Sequence, residues 1–134
     1  MNRKTTIFPY KRLFNSFYPI IPIELKKSSR SLKVEAFVDS GASISIFQAK
    51  VADKLGIDYM RGKVQYTMVG DGRHIPIYVQ KMSIKIGNVW TRTVIGFSPH
   101  LGVEINLLGE KDIFDRYIIT FNRPGRIVTF QAYH

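Results

Sequence analysis

Helical periodicity is confined to two short stretches of this 134-residue chain, and almost everything between them reads as strand punctuated by turn residues. Val34, Ala36 and Val38 alternate with Lys33, Glu35 and Phe37, the period of a strand with one face buried. A second β-like run, residues 20–25, precedes it across the polar residues 26–31, which suit a hairpin loop. Residues 64–97 form a long β-like region broken at Gly70-Asp71-Gly72-Arg73 and again at Gly87-Asn88, where glycine permits the positive φ of a tight turn. Residues 118–121 and 127–130 flank Asn122-Arg123-Pro124-Gly125-Arg126, whose Pro-Gly step marks a closing hairpin. The expected fold is all-β, mostly antiparallel, with two short helices.

The first helix is expected from Ser45. Ser45 and Gln48 have the spacing of a capping box, Phe47, Val51 and Leu55 recur four apart, and Gly56 can end the turn. The second is expected over residues 109–117, with Glu110 and Asp112 near its positive end, Arg116 near its negative end, and Ile113, Phe114 and Tyr117 as its buried stripe.

Composition narrows the function classes. An apolar fraction of 45% is enough for one domain with a real core. Without cysteine there is no disulfide, thiolate metal site or cysteine nucleophile, and a reducing interior suits the chain at least as well as an oxidising one. His74, His100 and His134 lack metal-binding spacing, so neither a metal nor another cofactor is expected. The net charge of +10 raises the question of nucleic acid, but the twenty Lys and Arg are spread along the chain with no long block. Phe14, Phe17 and Tyr18 beside Lys11 and Arg12 are the nearest approach to aromatic–basic interleaving; a solvated surface is the simpler reading, and nucleic acid is not expected as a partner.

Residues 1–18 form a basic, aromatic leader able to add an edge strand to the domain expected over residues 19–134. It lacks the apolar core of a signal peptide, and the apolar run at residues 18–25 is interrupted by Pro19, Pro22 and Glu24. A soluble, cytoplasmic protein without membrane contact is therefore expected.

Chemistry concentrates where the strand ending at Val38 meets Asp39-Ser40-Gly41-Ala42-Ser43. Glycine allows backbone N–H groups to approach a carboxylate, and a hydroxyl can fix a neighbouring backbone. Asp-Ser-Gly is equally a common turn signature, in which the aspartate bonds only its own backbone. On those residues alone the turn is the simpler reading.

The segment resembles the Asp-(Ser/Thr)-Gly-Ala motif of the retropepsin-like aspartic proteases. Asn106-Leu107-Leu108-Gly109 resembles the hydrophobic-hydrophobic-glycine motif that, in that family, precedes a short helix and packs behind the catalytic loop. Between them, Val69-Gly70-Asp71-Gly72-Arg73 stands where the family carries its flap. The resemblance spans residues 20–130 and implies a retropepsin-like barrel protomer active as a twofold homodimer. It assigns Asp39 as the catalytic carboxylate and Ser40 as the hydroxyl of an interlocked grip between protomers. Gly41 and Ala42 would line the loop, and Ser43 and the flap residues 69–73 would meet bound peptide. Leu107, Leu108 and Gly109 would support the site from behind.

The implied mechanism needs two carboxylates in contact, sharing one proton and polarising a water between them. No second aspartate has the strand-then-Ser-Gly setting: Asp53, Asp58, Asp112 and Asp115 fall in or beside the helices and Asp71 in the flap tip. The implied partners are thus a second copy of the chain and a peptide or protein substrate. The leader and the long closing hairpin depart from the shortest retroviral enzymes; the hairpin favours a dimer sheet built from C-terminal strands. Asp71 and Arg73 make the flap tip more polar than the retroviral form. Two other readings stay open: a catalytically silent peptide-binding or dimerisation module of the same fold, and a small basic β-barrel that binds nucleic acid.

Overall fold

The computed structural model describes residues 5–68, 72–101 and 104–133. Twelve strands are seen among them: β1 (Thr5–Pro9), β2 (Lys11–Leu13), β3 (Ser16–Tyr18), β4 (Ile20–Lys27), β5 (Arg30–Val38), β6 (Ser45–Gln48), β7 (Lys63–Met68), β8 (His74–Ile86), β9 (Val89–Ser98), β10 (Asn106–Leu108), β11 (Tyr117–Asn122) and β12 (Ile127–Ala132). Helix α1 (Ala49–Lys54), a 3₁₀ turn at Tyr59–Arg61 and a short irregular helix at Glu110–Phe114 complete them.

Seven strands run in the order β4-β5-β10-β6-β9-β8-β7, and a further pairing of β4 with β8 closes the first six into a barrel. Closure depends on the length of β8. Its first half pairs with β7, its last residues pair with β4 at Leu25↔Ile84, and its other edge runs along β9. Most pairings are antiparallel; β10 beside β5 and β6 beside β9 are parallel. A three-stranded sheet, β1-β12-β11, lies apart from the barrel sheet, and β2 and β3 form a small hairpin.

Strand periodicity explains the core. Along β4, Ile21, Ile23 and Leu25 point inward, and along β8 Met82, Ile84 and Ile86 do the same. They meet Val38, Phe47, Ile95, Phe97 and Leu108, while Phe8, Tyr117, Val128 and Phe130 dock the three-stranded sheet onto the same cluster. The Phe130 ring makes edge contacts with Phe8 and Tyr117, each at 5.7 Å between centroids. A second, smaller cluster joins Ile44, Ile46, Ile75 and Ile77 with Val79, Val94 and Leu101.

Both helices differ from the sequence expectation. Ser45–Gln48 is a strand, not a helix start: Ser45, Ile46 and Phe47 are buried, and the segment pairs with β9 on one edge and β10 on the other. Helix α1 begins at Ala49, Gln48 makes no side-chain cap, and Gly56 with φ of +69° follows its end. The second helix spans only Glu110–Phe114 and is broken internally, because Asp112 adopts φ of +65°. Tyr117, assigned by its spacing to that helix, opens β11. The turn expected over residues 26–31 is also tighter, since β4 and β5 pair as far as Lys27↔Arg30.

Candidate active site

Loop 39–43 hangs between β5 and β6. Ala36 and Val38 anchor the end of β5 in the large core, and β10 lies parallel beside it with Leu108 opposite Val38. The ladder's last bond is from Asp39 N–H to the Leu108 carbonyl, at 2.9 Å. Beyond it the chain turns: Ala42 N–H donates to the Asp39 carbonyl at 3.2 Å, and Gly41 N–H donates to Asp39 Oδ1 at 2.9 Å. A Cβ on residue 41 would sit 3.2 Å from that same Oδ1, so glycine gives the amide its close approach.

The far side of the loop is strapped down. Glu110 N–H donates to the Ala42 carbonyl at 2.8 Å, and Lys111 N–H to the Ser43 carbonyl at 3.1 Å. Gly109 N–H donates to Ser45 Oγ at 3.0 Å, in fully buried surroundings. Any Cβ on residue 109 would lie 2.5 Å from the Ile44 carbonyl and 2.7 Å from that of Ala42, which only glycine avoids. Leu108 is thus bonded directly to the loop at Asp39 and Gly109 packs on the Ala42 carbonyl, while Leu107 pairs with Phe37 and Ile46 beside them.

Asp39 is half-buried, with Ser40, Gly41 and Ser43 exposed around it. Among the described residues, Oδ2 accepts no hydrogen bond and no cation pairs with the carboxylate. The ion pairs seen there join Lys11 to Glu35, Arg61 to Asp58 and Arg116 to Asp112. One oxygen is thus oriented by backbone and the other is open, the arrangement of a carboxylate that can hold a water or a proton.

Hairpin β7–β8 carries the predicted flap. Val69, Gly70 and Asp71 lie outside the described residues; Gly72, with φ of +86°, and Arg73 are exposed just before β8. The base of the hairpin connects to the loop through the small cluster, where Ile75 and Ile77 pack with Ile44 and Ile46. Gly96 lies under that contact: a Cβ there would meet Ile77 Cδ1 at 2.7 Å.

Three residues support the loop through bonds that differ from their expected roles. Ser45, taken for a helix cap, accepts the Gly109 amide. Asn106 Oδ1 accepts from Gln48 N–H at 3.0 Å while its Nδ2 donates to the Glu35 carbonyl at 2.9 Å, tying β5 to the start of α1. Asp112, read as a charge at a helix end, accepts from Val94 N–H through Oδ2 and from Arg116 through Oδ1, and so fixes the bend after Gly109. A polar residue inside the apolar run 105–108 was the only available signal for Asn106. Among the described residues, no three His, Asp or Glu side chains converge as a metal site, and no helix is long and apolar enough to cross a membrane.

The chain that places a carboxylate at the end of a core strand, with a glycine strap behind it, is similar to known proteins. The family described as "gag-polyprotein putative aspartyl protease" matches residues 29–112, which include loop 39–43, the hairpin and the 107–109 strap. This chain belongs to that family. Among solved structures, it resembles a retropepsin-like aspartic protease from Rickettsia conorii, with a TM-score of 0.64 and 18% identity over 98% of this chain and 95% of that one. That likeness shows the retropepsin-like fold, in agreement with the mostly antiparallel barrel. No curated protein matches the chain.

Proposed function

We propose that this chain is a homodimeric aspartic endopeptidase in which the Asp39 side chains of two protomers activate one water between them. The observation that carries this is the state of Asp39: a single carboxylate oriented by Gly41 N–H, with its other oxygen unpaired, on a loop whose Ser40, Gly41 and Ser43 are exposed. Two such groups in contact cannot both ionise, so the pair shares a proton, one acid polarising the scissile carbonyl and the other deprotonating the water. Ser40 grips the partner's loop, Gly41 and Ala42 shape the floor, and Ser43 and residues 69–73 hold peptide.

The chain's other described aspartates are engaged differently. Asp58 accepts from Met60 N–H, Asp115 from Asp112 N–H, Asp112 from Val94 and Arg116, and Asp53 lies within α1. On this reading the second carboxylate comes from another copy. Strand β11 supports association: it is an edge of the three-stranded sheet, and its sequence YIITFN has none of the charges or prolines that block edge pairing.

The test is hydrolysis of an unstructured polypeptide, with sedimentation to establish the assembly. Asp39→Asn should lower turnover by roughly 10⁴-fold, within what is lost when paired acid–base groups are removed, while the folded dimer persists. Mixing equal amounts of wild-type and Asp39→Asn chains should cut activity per wild-type chain by about half, because random pairing leaves half of them with an inactive partner. Undiminished hydrolysis by Asp39→Asn would sink the proposal. Tight peptide binding without cleavage by the wild type would select the silent-module reading instead.

A further inference from the structure

Strand register assembles on the outside of the barrel a site that the linear sequence disperses. Pairing of β4, β8 and β9 sets Glu24, Lys85 and Trp90 in one row across the sheet, and Lys26, Ser83 and Arg92 in the next, about 7 Å along the strands. Trp90 is the chain's single tryptophan, and 43% of it is exposed. The ammonium groups of Lys26 and Lys85 each lie 5.8 Å from its ring centroid. Around it Lys26, Ser28, Ser83, Trp90 and Arg92 line an open hollow of about 260 Å³.

Positive charge outnumbers negative there. Lys26, Lys85 and Arg92 join no ion pair among the described residues, and Glu24 is the one carboxylate in the two rows. Lys27, next along β4, donates to the Lys81 carbonyl at 3.0 Å. Arg116 donates to the Arg92 carbonyl at 2.8 Å, with its own charge met by Asp112.

We infer that this face binds single-stranded nucleic acid, with a base stacked on Trp90 and the flanking phosphates held by Lys26, Arg92 and Lys85. A flat π-surface bordered by cations and hydroxyls matches a nucleotide unit. Stacking of a base outweighs an exposed cation–π contact, and the displaced ammonium groups are then free to meet phosphates. Charges set along two rows follow a backbone, whereas a free nucleotide would need a cradle of backbone amides around its terminal phosphate. A membrane would require further apolar residues beside the tryptophan, and these rows supply none. Trp90 stands five residues along β9 from Ile95, the partner of Ser45, which puts it about 16 Å along that strand from the residue paired with the support of the candidate catalytic loop.

Because Trp90 is the only tryptophan, its fluorescence reports on this face alone. Titrating the full chain with a 15-residue oligothymidylate should give saturable quenching. The dependence of log K on log salt should have a slope near −2, or about −0.7 for each of three phosphate contacts. The double variant Lys26→Glu/Arg92→Glu should weaken binding by at least tenfold and flatten that slope. Trp90→Ala, followed by anisotropy of a labelled oligomer, should weaken it by a similar factor. The control Lys50→Glu/Lys63→Glu, which removes the same charge elsewhere, should change affinity less than threefold. Equal loss in the control, binding without quenching, equal quenching by thymidine monophosphate, or a response to anionic phosphatidylserine vesicles in place of the oligomer would each overturn the inference.

Discussion

Two apolar clusters share the same strands in this protein but take opposite faces of them. β8 gives Met82, Ile84 and Ile86 to the large core and Ile75 and Ile77 to the small one; β9 divides Ile95 and Phe97 from Val94, and β6 divides Phe47 from Ile46. The large cluster closes the barrel and holds the three-stranded sheet. The small one joins the hairpin base to the residues just after loop 39–43. That loop spans the gap between them, leaving the large core at Val38 and entering the small cluster at Ile44. Stability and the coupling of hairpin to carboxylate therefore reside in different side chains of the same strands, and substitutions can separate them.

The largest effect on stability is expected in the barrel. Phe97 is fully buried among large-core side chains, and Phe97→Ala should cost about 3–5 kcal/mol, a large share of the roughly 5–15 kcal/mol available to a domain. The midpoint of urea unfolding should fall with every spectroscopic probe moving together. A variant that loses less than about 1 kcal/mol would mean that the barrel interior relaxes around the gap, and the assignment of global stability to this cluster would be wrong.

A smaller and more local effect is expected from Ile77→Ala. Ile77 is also fully buried, but Val79, Val94 and Leu101 around it are only partly so and can settle into the space. About 2 kcal/mol is expected, at the low end for such truncations. Hydrogen exchange should locate it: amides of β7 and the first half of β8 should exchange faster, while those of β4 and β5 keep their protection. If Asp39 works as proposed, peptide turnover should fall as well, since the hairpin loses its seat beside Ile44. Uniform acceleration of exchange across the barrel would show that the clusters unfold as one unit.

The same division explains what could be read from residues alone. β4, β5 and the hairpins at Gly87-Asn88 and Pro124-Gly125 were legible because each strand has one covered face or a turn residue with a single conformational use. The place of Asp39 at the end of β5 was legible because an alternating strand delivers it, whereas its proposed role rests on the motif that follows. β6 was not: neighbours on both edges and clusters on both faces bury Ser45, Ile46 and Phe47 together, and a run without alternation is open to a helical reading once Val51 and Leu55 follow at four-residue spacing. The Glu110–Phe114 segment misled in another way, since its acids serve side-chain bonds to Val94 and Arg116 that no local pattern announces. The Trp90 face was hidden because register between segments some sixty residues apart, such as Lys26↔Ser83, is not written in either segment.

The smallest expected effect is also the most specific to the join between the two clusters. Ser45 Oγ is the acceptor for the Gly109 amide, and neither group has water to turn to. Ser45→Ala removes little volume but leaves that N–H buried without a partner, which should cost about 1 kcal/mol, the low end for such a group. Ser43→Ala, two residues earlier and exposed, supplies the comparison and should stay within about 0.5 kcal/mol of the parent. If the strap behind loop 39–43 depends on this bond, amides of Glu110 and Lys111, which donate to the Ala42 and Ser43 carbonyls, should lose exchange protection in Ser45→Ala and keep it in Ser43→Ala. Should both variants leave those amides protected, steric closure at Gly109 against the Ile44 carbonyl would be sufficient to hold the loop, and the serine would be only a filler between the clusters.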